Sequence, residues 1–408
     1  MAYNKQMTAL KNKRNVIDII RLNSPINKAE IAKMAGLSIP SVMKITDELE
    51  EMKLICSLGR GESTGGKPPE MLTFVTNAFY LIGVDIGRSR VKVILMDMGA
   101  QIYERRYMTS TATENPESFL ERVADLVEEI IANADIPKER LLGIGIGMPG
   151  ILNPESGKII FSPNFMWKDV ELLPVFRKRF AAPVLIENAN RAMALGEHWY
   201  GVSQNVNRVL TVNLGYGIGA AMLDGRKIDR GGSGCSGELG HMILKKDGNI
   251  CSCGNRGCLE SISSGYAIAK TAQQEARNKN AEKILKEAGG IPEDIEAKHV
   301  FLAAEAGDMT AQTIIQEAIE YLGIGIANCI NLLDPDMVVL AGRIMLSSDY
   351  FWEELKAQIG NHQMKYSAMN IRIKKGILGE EATAIGAATL PLRRFINYGA
   401  SYQALVDL

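Results

Sequence analysis

Tyr80-Leu-Ile-Gly-Val-Asp85 leads into Val91-Lys-Val-Ile-Leu-Met-Asp97, and farther along Val209-Leu-Thr-Val-Asn-Leu-Gly215 leads into Gly219-Ala-Ala-Met-Leu-Asp224. Each pair runs apolar strand, glycine turn, apolar strand, aspartate. A pattern met twice implies an internal duplication, here two similar lobes facing each other across a cleft. From about Asn77 onward apolar strand-like runs alternate with helical ones, which argues an α/β architecture. Two further glycine- or asparagine-bearing segments follow apolar strands: Gly145-Ile-Gly147-Met-Pro149-Gly150 and Glu187-Asn188-Ala189-Asn190. Both read as turns. In open α/β sheets ligands sit beyond the carboxyl ends of strands, so such turns are either cleft-lining or plain turn chemistry.

The residues before this region read differently. Leu10, Val16, Ile17 and Ile20 have the spacing of one buried helix face, broken by Ser24-Pro25. Asn27 and Glu30 form a capping-box pattern that starts a second helix, and Gly36 suits its stop. Ser38 suits the cap of a third helix with Pro40 in its first turn. Val42, Ile45, Leu49 and Met52 form the apolar stripe of that helix, and Ser38, Ser41 and Lys44 lie on the other face. Lys53-Leu-Ile-Cys-Ser-Leu and Met71-Leu-Thr-Phe-Val then flank a glycine-rich basic tip holding Arg60 and Lys67. Helix, turn, helix and hairpin in this order describe a winged helix whose third helix enters a DNA major groove. A small helical dimerisation module with a basic face is the other reading.

With 408 residues the chain exceeds what one core usually holds, and 46% hydrophobic with 23% charged residues excludes a largely disordered chain. No apolar run reaches the roughly 18 residues of a membrane span, and the first twenty residues lack the apolar core of a signal peptide. A cytoplasmic protein is expected. The net charge of −1 hides a local excess. Residues 1–46 hold eight Lys/Arg against Asp18 and Glu30, a net +6 that favours salt-dependent binding to DNA.

Of six cysteines, three cluster in Cys251-Ser-Cys253-Gly-Asn-Arg-Gly257-Cys258-Leu-Glu260, shortly after Gly237-Glu238-Leu-Gly240-His241. One imidazole and three thiolates satisfy a tetrahedral Cys₃His zinc site, and in a cytoplasmic chain such spacing points to metal before disulfide. Buried or redox-active thiols are the alternative. Cys56, Cys235 and Cys329 are isolated and read as packing residues.

These residues together resemble the ROK family (repressors, open reading frames and sugar kinases), in its NagC/XylR-type regulator branch. The likeness extends over essentially the whole chain. It rests on the winged helix, Asp85-Ile-Gly87, Gly147-Met-Pro149-Gly150, Pro163-Asn164-Phe-Met-Trp167, Glu187-Asn188, the His-Cys₃ motif and Leu378-Gly379-Glu-Glu-Ala-Thr-Ala-Ile-Gly386. The resemblance implies a winged helix-turn-helix over residues 1–76, followed by a two-lobed actin-like ATPase domain of sugar-kinase type with a zinc-binding loop. The small lobe would span 77–189 plus 390–408. The large lobe, 190–389, would carry the zinc motif and an oligomerisation surface.

The likeness to the family's kinases fails at several points. Ala189 stands where they carry the aspartate that acts as base on the sugar hydroxyl, and a methyl group accepts no proton. Arg88 follows Gly87 where a second glycine lets backbone amides approach phosphate. Tyr216 occupies the second phosphate turn, and Arg343 follows Gly342 in place of a glycine pair. The sugar side matches better: by resemblance Asn164, Asn188, Glu238, His241 and Glu260 line a sugar pocket, while His241, Cys251, Cys253 and Cys258 hold zinc; the alternatives are turn capping for the two asparagines and support of the zinc loop for the two glutamates. The expected protein is therefore a sugar-responsive regulator, with no catalytic residues, that binds double-stranded operator DNA through Ser38, Ser41, Lys44, Arg60 and Lys67. It would act as a homodimer or homotetramer. An ATP-dependent sugar kinase with an added DNA-binding arm is the alternative.

Overall fold

The structure, a computed structural model, describes residues 2–62, 68–111, 114–134, 136–225, 227–366 and 371–400, with only the backbone of residues 2–6. Val16, Ile17, Ile19 and Ile20 form the buried face of α1 (Ala2–Asn23), which ends where Ser24-Pro25 interrupts the helical pattern. Asn27 caps α2 (Lys28–Ala35): its side chain accepts from the amides of Ala29 and Glu30, and the Glu30 carboxylate reaches back to the Asn27 amide. Gly36, at φ 64°, ends it. The Ser38 hydroxyl accepts from the Ser41 amide at the start of α3 (Ile39–Glu51), whose Val42, Thr46 and Leu49 are buried. The segment between α1 and α2 adds a short β1 (Ile26–Asn27) to the hairpin of β2 (Ile55–Arg60) and β3 (Glu70–Phe74), giving the sheet order β1-β3-β2. Sequence patterning showed the hairpin but not this third strand, because two residues carry no alternation to read.

Two five-stranded sheets follow. The first uses β4 (Tyr80–Ile86), β5 (Arg90–Asp97), β6 (Ile102–Thr109), β7 (Leu141–Met148) and, after a small sheet, β11 (Val184–Asn188). The small sheet is formed by β8 (Ile151–Asn153), β9 (Lys158–Ser162) and β10 (Trp167–Glu171). The second large sheet uses β12 (Arg208–Leu214), β13 (Ile218–Asp224), β14 (Lys227–Ile228), β15 (Met337–Ala341) and β16 (Arg372–Lys375). Their orders are β11-β7-β4-β5-β6 and β14-β13-β12-β15-β16. In both, the third position is held by the first strand of the repeat, with the second strand beside it on one side and the fourth on the other, which is the duplication expected from the repeated strand pattern. In both, the first two strands are antiparallel, with Tyr80 opposite Asp97 in one and Arg208 opposite Asp224 in the other.

By its internal contacts the chain divides into two compact units: Met1–Ile146 with Glu171–Ile186 and Ala387–Leu408, and Gly147–Val170 with Glu187–Gly386. This division differs from cuts at 76/77 and 189/190. The winged helix shares the first unit with the first large sheet, and residues 147–170 belong to the second. The reason for the first difference is visible at the junction. The Arg140 guanidinium donates to the carbonyls of Asn77 and Ala78, and the Met98 amide donates to Thr76. The helices of the first unit include α4 (Pro116–Asn133) and α5 (Leu173–Arg177). Those of the second are α6 (Ala189–Trp199), α7 (Glu260–Ser263), α8 (Gly265–Arg277), α9 (Glu282–Glu287), α10 (Ala297–Glu305), α11 (Met309–Leu333) and α12 (Asp349–His362). Leu322, Ile326 and Ile330 of α11 enter the second unit's core together with Leu210, Val212 and Leu214 of β12 and Phe351 of α12.

The expectation of a turn at Gly145 is corrected here. Gly145 and Gly147 lie inside β7, and the chain turns only at Pro149-Gly150. The glycine is needed for packing instead. A Cβ on Gly145 would lie 1.7 Å from the Ala387 carbonyl oxygen of α13 (Ala382–Asn397), and one on Gly143 would meet Pro391. Gly145→Ala therefore forces a strand and a helix backbone apart. We expect a loss of about 3 kcal/mol, measured by chemical denaturation of the full chain, at the upper end of overpacking effects because no side chain can move aside.

Candidate functional site

The motif 237–260 folds into a loop that brings one histidine and three cysteines together. The Cys251 amide donates to Asn255, the Gly254 amide to Cys251, and isolated bridges join Ile243 to Cys258 and Ile250 to Arg256. Gly257, at φ 72°, passes so close to Lys245 that any side chain would strike its carbonyl. The four donor atoms of His241, Cys251, Cys253 and Cys258 lie within 4.8 Å of one another. His241 Nδ1 is 3.5 Å from Cys251 Sγ, and Cys253 Sγ is 3.7 Å from Cys258 Sγ. A tetrahedral ion with bonds of about 2.3 Å to sulfur and about 2.05 Å to nitrogen requires nitrogen–sulfur and sulfur–sulfur edges of roughly 3.6 and 3.8 Å. The donor set therefore fits a metal.

The thiols also show why a cation suits the loop. Burial, reinforced by the neighbouring Cys253 and Cys251, pushes the Cys258 thiol up to about 12. Burial likewise raises Cys251. Cys253 is lowered even though burial opposes this, because its sulfur accepts from the Asn255 amide and from the adjacent thiols. Three thiolates this close repel one another unless a positive ion lies among them. Of the isolated cysteines, Cys235 and Cys329 are half-buried, whereas Cys56 is exposed on β2, so its reading as a packing residue is corrected.

His241 turns its second nitrogen the other way: Nε2 lies 3.7 Å from the Glu238 carboxylate. The Glu260 carboxylate accepts from the Ile218 amide at 2.9 Å, and Gly240 runs against the Glu260 side chain. Partial burial raises the Glu238 carboxyl above its ordinary value; His241 and Arg191 oppose this, and Glu260 adds to it. Glu238, His241 and Glu260 thus form one acidic cluster backed by the Cys₃His loop.

Asn188 is tied to the same region through a pair of arginines that the sequence did not reveal as functional. Its Oδ1 accepts from the amides of Asn190 and Arg191 at the start of α6, and its Nδ2 donates to the Gly150 carbonyl. Beside it, the fully buried Glu187 accepts from Arg191 Nε at 2.9 Å and from Arg230 at 2.5 Å. Arg191, only 2% exposed, donates onward to the carbonyls of Gly234 and Ser236, just ahead of Glu238. The sequence signal was the Glu187/Arg191 spacing of four at a helix start, which is common on solvated helix faces and gives no hint of burial. Asn164 lies half-buried in the turn between β9 and β10, and the Ser162 hydroxyl anchors that turn by donating to the Pro149 carbonyl. Ala189 begins α6 with its methyl partly exposed.

On the winged helix, Ser41 and Lys44 are exposed on α3 and Arg60 is exposed at the end of β2. Ser38 is spent on the helix cap, with its hydroxyl 2.8 Å from that of Ser41. Lys67 lies outside the described residues. α3 also leaves Ile39 and Met43 exposed, at 50% and 45%. Sequence patterning passed over both, because an apolar residue is assigned to the core by default. The local charge is smaller than a cut at residue 46 suggests. Extended to residue 76, the segment holds eleven Lys/Arg against eight Asp/Glu, a net +3. Lys13 pairs with Glu48, and Lys28 lies within ion-pair distance of Asp47 and Glu70. Part of the positive charge is thus offset within the segment, while Lys44 and Arg60 stay exposed. Lys44→Ala is expected to weaken DNA binding severalfold and to reduce the salt dependence by about one phosphate contact, with sugar binding unchanged, in fluorescence anisotropy titrations at several salt concentrations.

A winged helix joined to a duplicated kinase-type fold with a metal loop defines a class of DNA-binding transcriptional regulators. Comparison with known proteins gives the family. Residues 81–394 match the ROK family and residues 10–55 a winged helix-turn-helix DNA-binding domain. The chain belongs to the ROK family. It is 32% identical over 387 residues to a putative xylose repressor of Caldicellulosiruptor sp. (strain Rt8B.4), covering 95% of this chain and 96% of the relative. It is 29% identical over 400 residues to the DNA-binding transcriptional dual regulator NagC of Escherichia coli K12, covering 97% and 95%. Among solved structures, a ROK family transcriptional regulator homologous to the Escherichia coli MLC protein superposes with a TM-score of 0.80 at 26% identity, over 98% of this chain and all of that one. A ROK glucokinase from Streptomyces griseus, in complex with glucose and AMPPNP, superposes with a TM-score of 0.69 at 28% identity over 76% of this chain and 98% of that one. The full-length likeness is thus to regulators, while that kinase matches only about three quarters of the chain. Among the described residues no helix is long and apolar enough to cross a membrane.

Proposed function

We propose that this regulator is a repressor of carbohydrate-metabolism genes whose grip on operator DNA is set by a sugar bound at Asn164, Asn188, Glu238, His241 and Glu260. The observation that carries the reading is the acidic cluster behind which the metal loop is built. Glu238, His241 and Glu260 offer carboxylates and an imidazole edge to a polyhydroxylated ligand, while Ala189 leaves no proton acceptor where phosphoryl transfer would need one. Residues 1–76 hold DNA, with Ser41, Lys44 and Arg60 as contacts, and the remainder senses sugar. The relatives are named as xylose repressor and NagC regulator, which supports a carbohydrate as effector.

Zinc is the ion we assign to the Cys₃His set, since three thiolates and one imidazole in tetrahedral spacing suit it. Bound there, it would supply charge neutralisation for the thiolates and fix the His241 ring, leaving Nε2 to the sugar side. A homodimer or homotetramer matches two-fold operator half-sites. Sugar shifts the protein between DNA-competent and incompetent arrangements by no more than its differential affinity for the two.

The test combines DNA fragments selected by the full chain with a thermal-shift screen of mono- and amino sugars. A sugar that raises the melting midpoint and releases the selected DNA supports the reading; a ligand that shifts the midpoint without changing DNA affinity counts against it. A coupled phosphorylation assay on the same sugars separates the kinase alternative. No turnover is expected, and ATP-dependent turnover lost in Asn188→Ala would overturn the non-catalytic reading.

A further inference from the structure

One residue before the Gly217–Ile218 segment that meets Glu260, Tyr216 pairs with Tyr266 in two exposed rings that the sugar site as described does not use. Tyr216 and Tyr266 are 45% and 46% exposed, with ring centroids 5.2 Å apart and planes inclined at 38°. Their backbones are joined: the Tyr266 amide donates to the Tyr216 carbonyl, and the Gly265 amide to Gly215. Tyr266 lies in the first turn of α8, whose cap is the buried Ser264, accepting from the Ala267 amide. Lys270, one turn on, holds its ammonium 5.6 Å from the Tyr266 ring centre. The pair is therefore fixed in place at its backbone.

Its position relative to the acidic cluster is set by the next two residues. Any side chain at Gly217 would strike the Glu260 carboxylate, 2.4 Å from where its Cβ would be, and the Ile218 amide donates to that same carboxylate. Tyr216 is thus one peptide, about 3.8 Å between α-carbons, from a residue in contact with Glu260. A rigid, amphipathic aromatic surface next to a hydroxyl-binding carboxylate offers two kinds of contact: a ring face for the C–H side of a pyranose, and phenol and ammonium groups for its hydroxyls.

We propose that Tyr216 and Tyr266 form a second sugar subsite, so that the effector is an oligosaccharide or glycoside, its first ring held by Glu238, His241 and Glu260 and its next ring laid on the tyrosines. This rests on the sugar-site reading above and narrows it to a ligand class. By resemblance the family's kinases carry a small residue at this turn, and the tyrosine that stands there instead supplies the ring platform.

The experiment is calorimetric titration of the full-length, metal-loaded chain with glucose, xylose and N-acetylglucosamine, with their β-1,4-linked disaccharides, and with ATP. A disaccharide is expected to bind roughly three- to tenfold more tightly than its own monosaccharide, the size of one aromatic contact. Tyr216→Ala and Tyr266→Ala should erase that ratio and leave the monosaccharide affinity within about twofold, as expected for residues off the first ring. Tyr216→Phe should keep the ratio, which controls for folding of the turn. Equal affinities for mono- and disaccharides, or a ratio that survives both alanine variants, overturns the second subsite while leaving the sugar site standing. ATP binding that is lost in Tyr216→Ala also overturns it, since the rings then stack a base. Absence of binding by every sugar overturns the sugar site itself, and the subsite with it.

Discussion

Cys258→Ser is expected to leave the protein without bound metal and to lower the stability of the second unit by roughly 3–5 kcal/mol. The loop it closes has no core of its own. Among its hydrophobic side chains only Leu239, Cys251, Cys258 and Leu259 are buried, while Ile243 and Ile250 face solvent. Leu239 and Leu259, with Met242 and Leu244, anchor its ends in the second unit's core, so it is the stretch around Ile250 whose order depends on the four donors being drawn together. A serine hydroxyl does not ionise near neutral pH, and the three remaining donors would share an incomplete site. Metal analysis of the purified variant and a thermal melt beside the parent chain are the measurements. Retention of a full equivalent of metal with an unchanged midpoint would overturn the metal assignment. The pH dependence has a definite sign. Cys258 is pushed up to about 12 and Cys251 is raised, so both carry protons in the metal-free loop at neutral pH, and binding must displace them. Affinity should therefore rise with pH and fall as it drops, by up to roughly a factor of ten per proton released per pH unit. Because His241 Nε2 faces Glu238, the same variant should also weaken sugar binding while sparing that part of DNA affinity measured without sugar.

The legible parts of the fold were those that local physics writes into short windows. Asn27 with Glu30, Gly36 and Ser38 mark helix ends because a cap is a contact between residues three or four apart. The strand duplication was visible because both copies repeat the alternation of apolar run, glycine and aspartate. Gly145 misled for the opposite reason. A glycine in an apolar run reads as a turn, whereas its cause is the Ala387 carbonyl of a helix far along the chain. The convergence of His241 with three cysteines was readable from their spacing, and Asn188 caps α6, the turn-capping alternative to its reading by resemblance as a sugar ligand. Ile39 and Met43 were hidden by their own chemistry, since apolar side chains on a recognition helix look like core until the helix is seen from its other side. Exposed on the same helix as Ser41 and Lys44, they suit apolar contact with thymine methyl groups.

The buried arginine is the other large expectation. Arg191→Met should destabilise the second unit by about 3–5 kcal/mol, because it removes one partner of an ion pair held wholly away from water. Glu187 would keep Arg230, but Arg230 Nε and Nη2 both go to Oε2, while Oε1 takes Arg191 and the Asn188 amide. The loss therefore falls on the oxygen that orders Asn188. The carbonyls of Gly234 and Ser236 would lose their donor at the same time, loosening the stretch that leads to Glu238. Stability and sugar affinity should thus fall together in this variant. Glu187→Gln combined with Arg191→Met tests whether charge or packing is at stake. If the uncompensated carboxylate is the main cost, the double variant recovers part of the loss of Arg191→Met, measured as a coupling energy of about 1 kcal/mol or more. If the two effects simply add, the loss lies in the unmet Gly234 and Ser236 carbonyls and in packing rather than in the uncompensated carboxylate. Arg191→Lys decides the rest: an ammonium cannot serve Glu187 and two carbonyls in the fixed fork of a guanidinium. It should restore the charge balance yet leave sugar binding impaired, because the loop before Glu238 is held by geometry that only the arginine supplies.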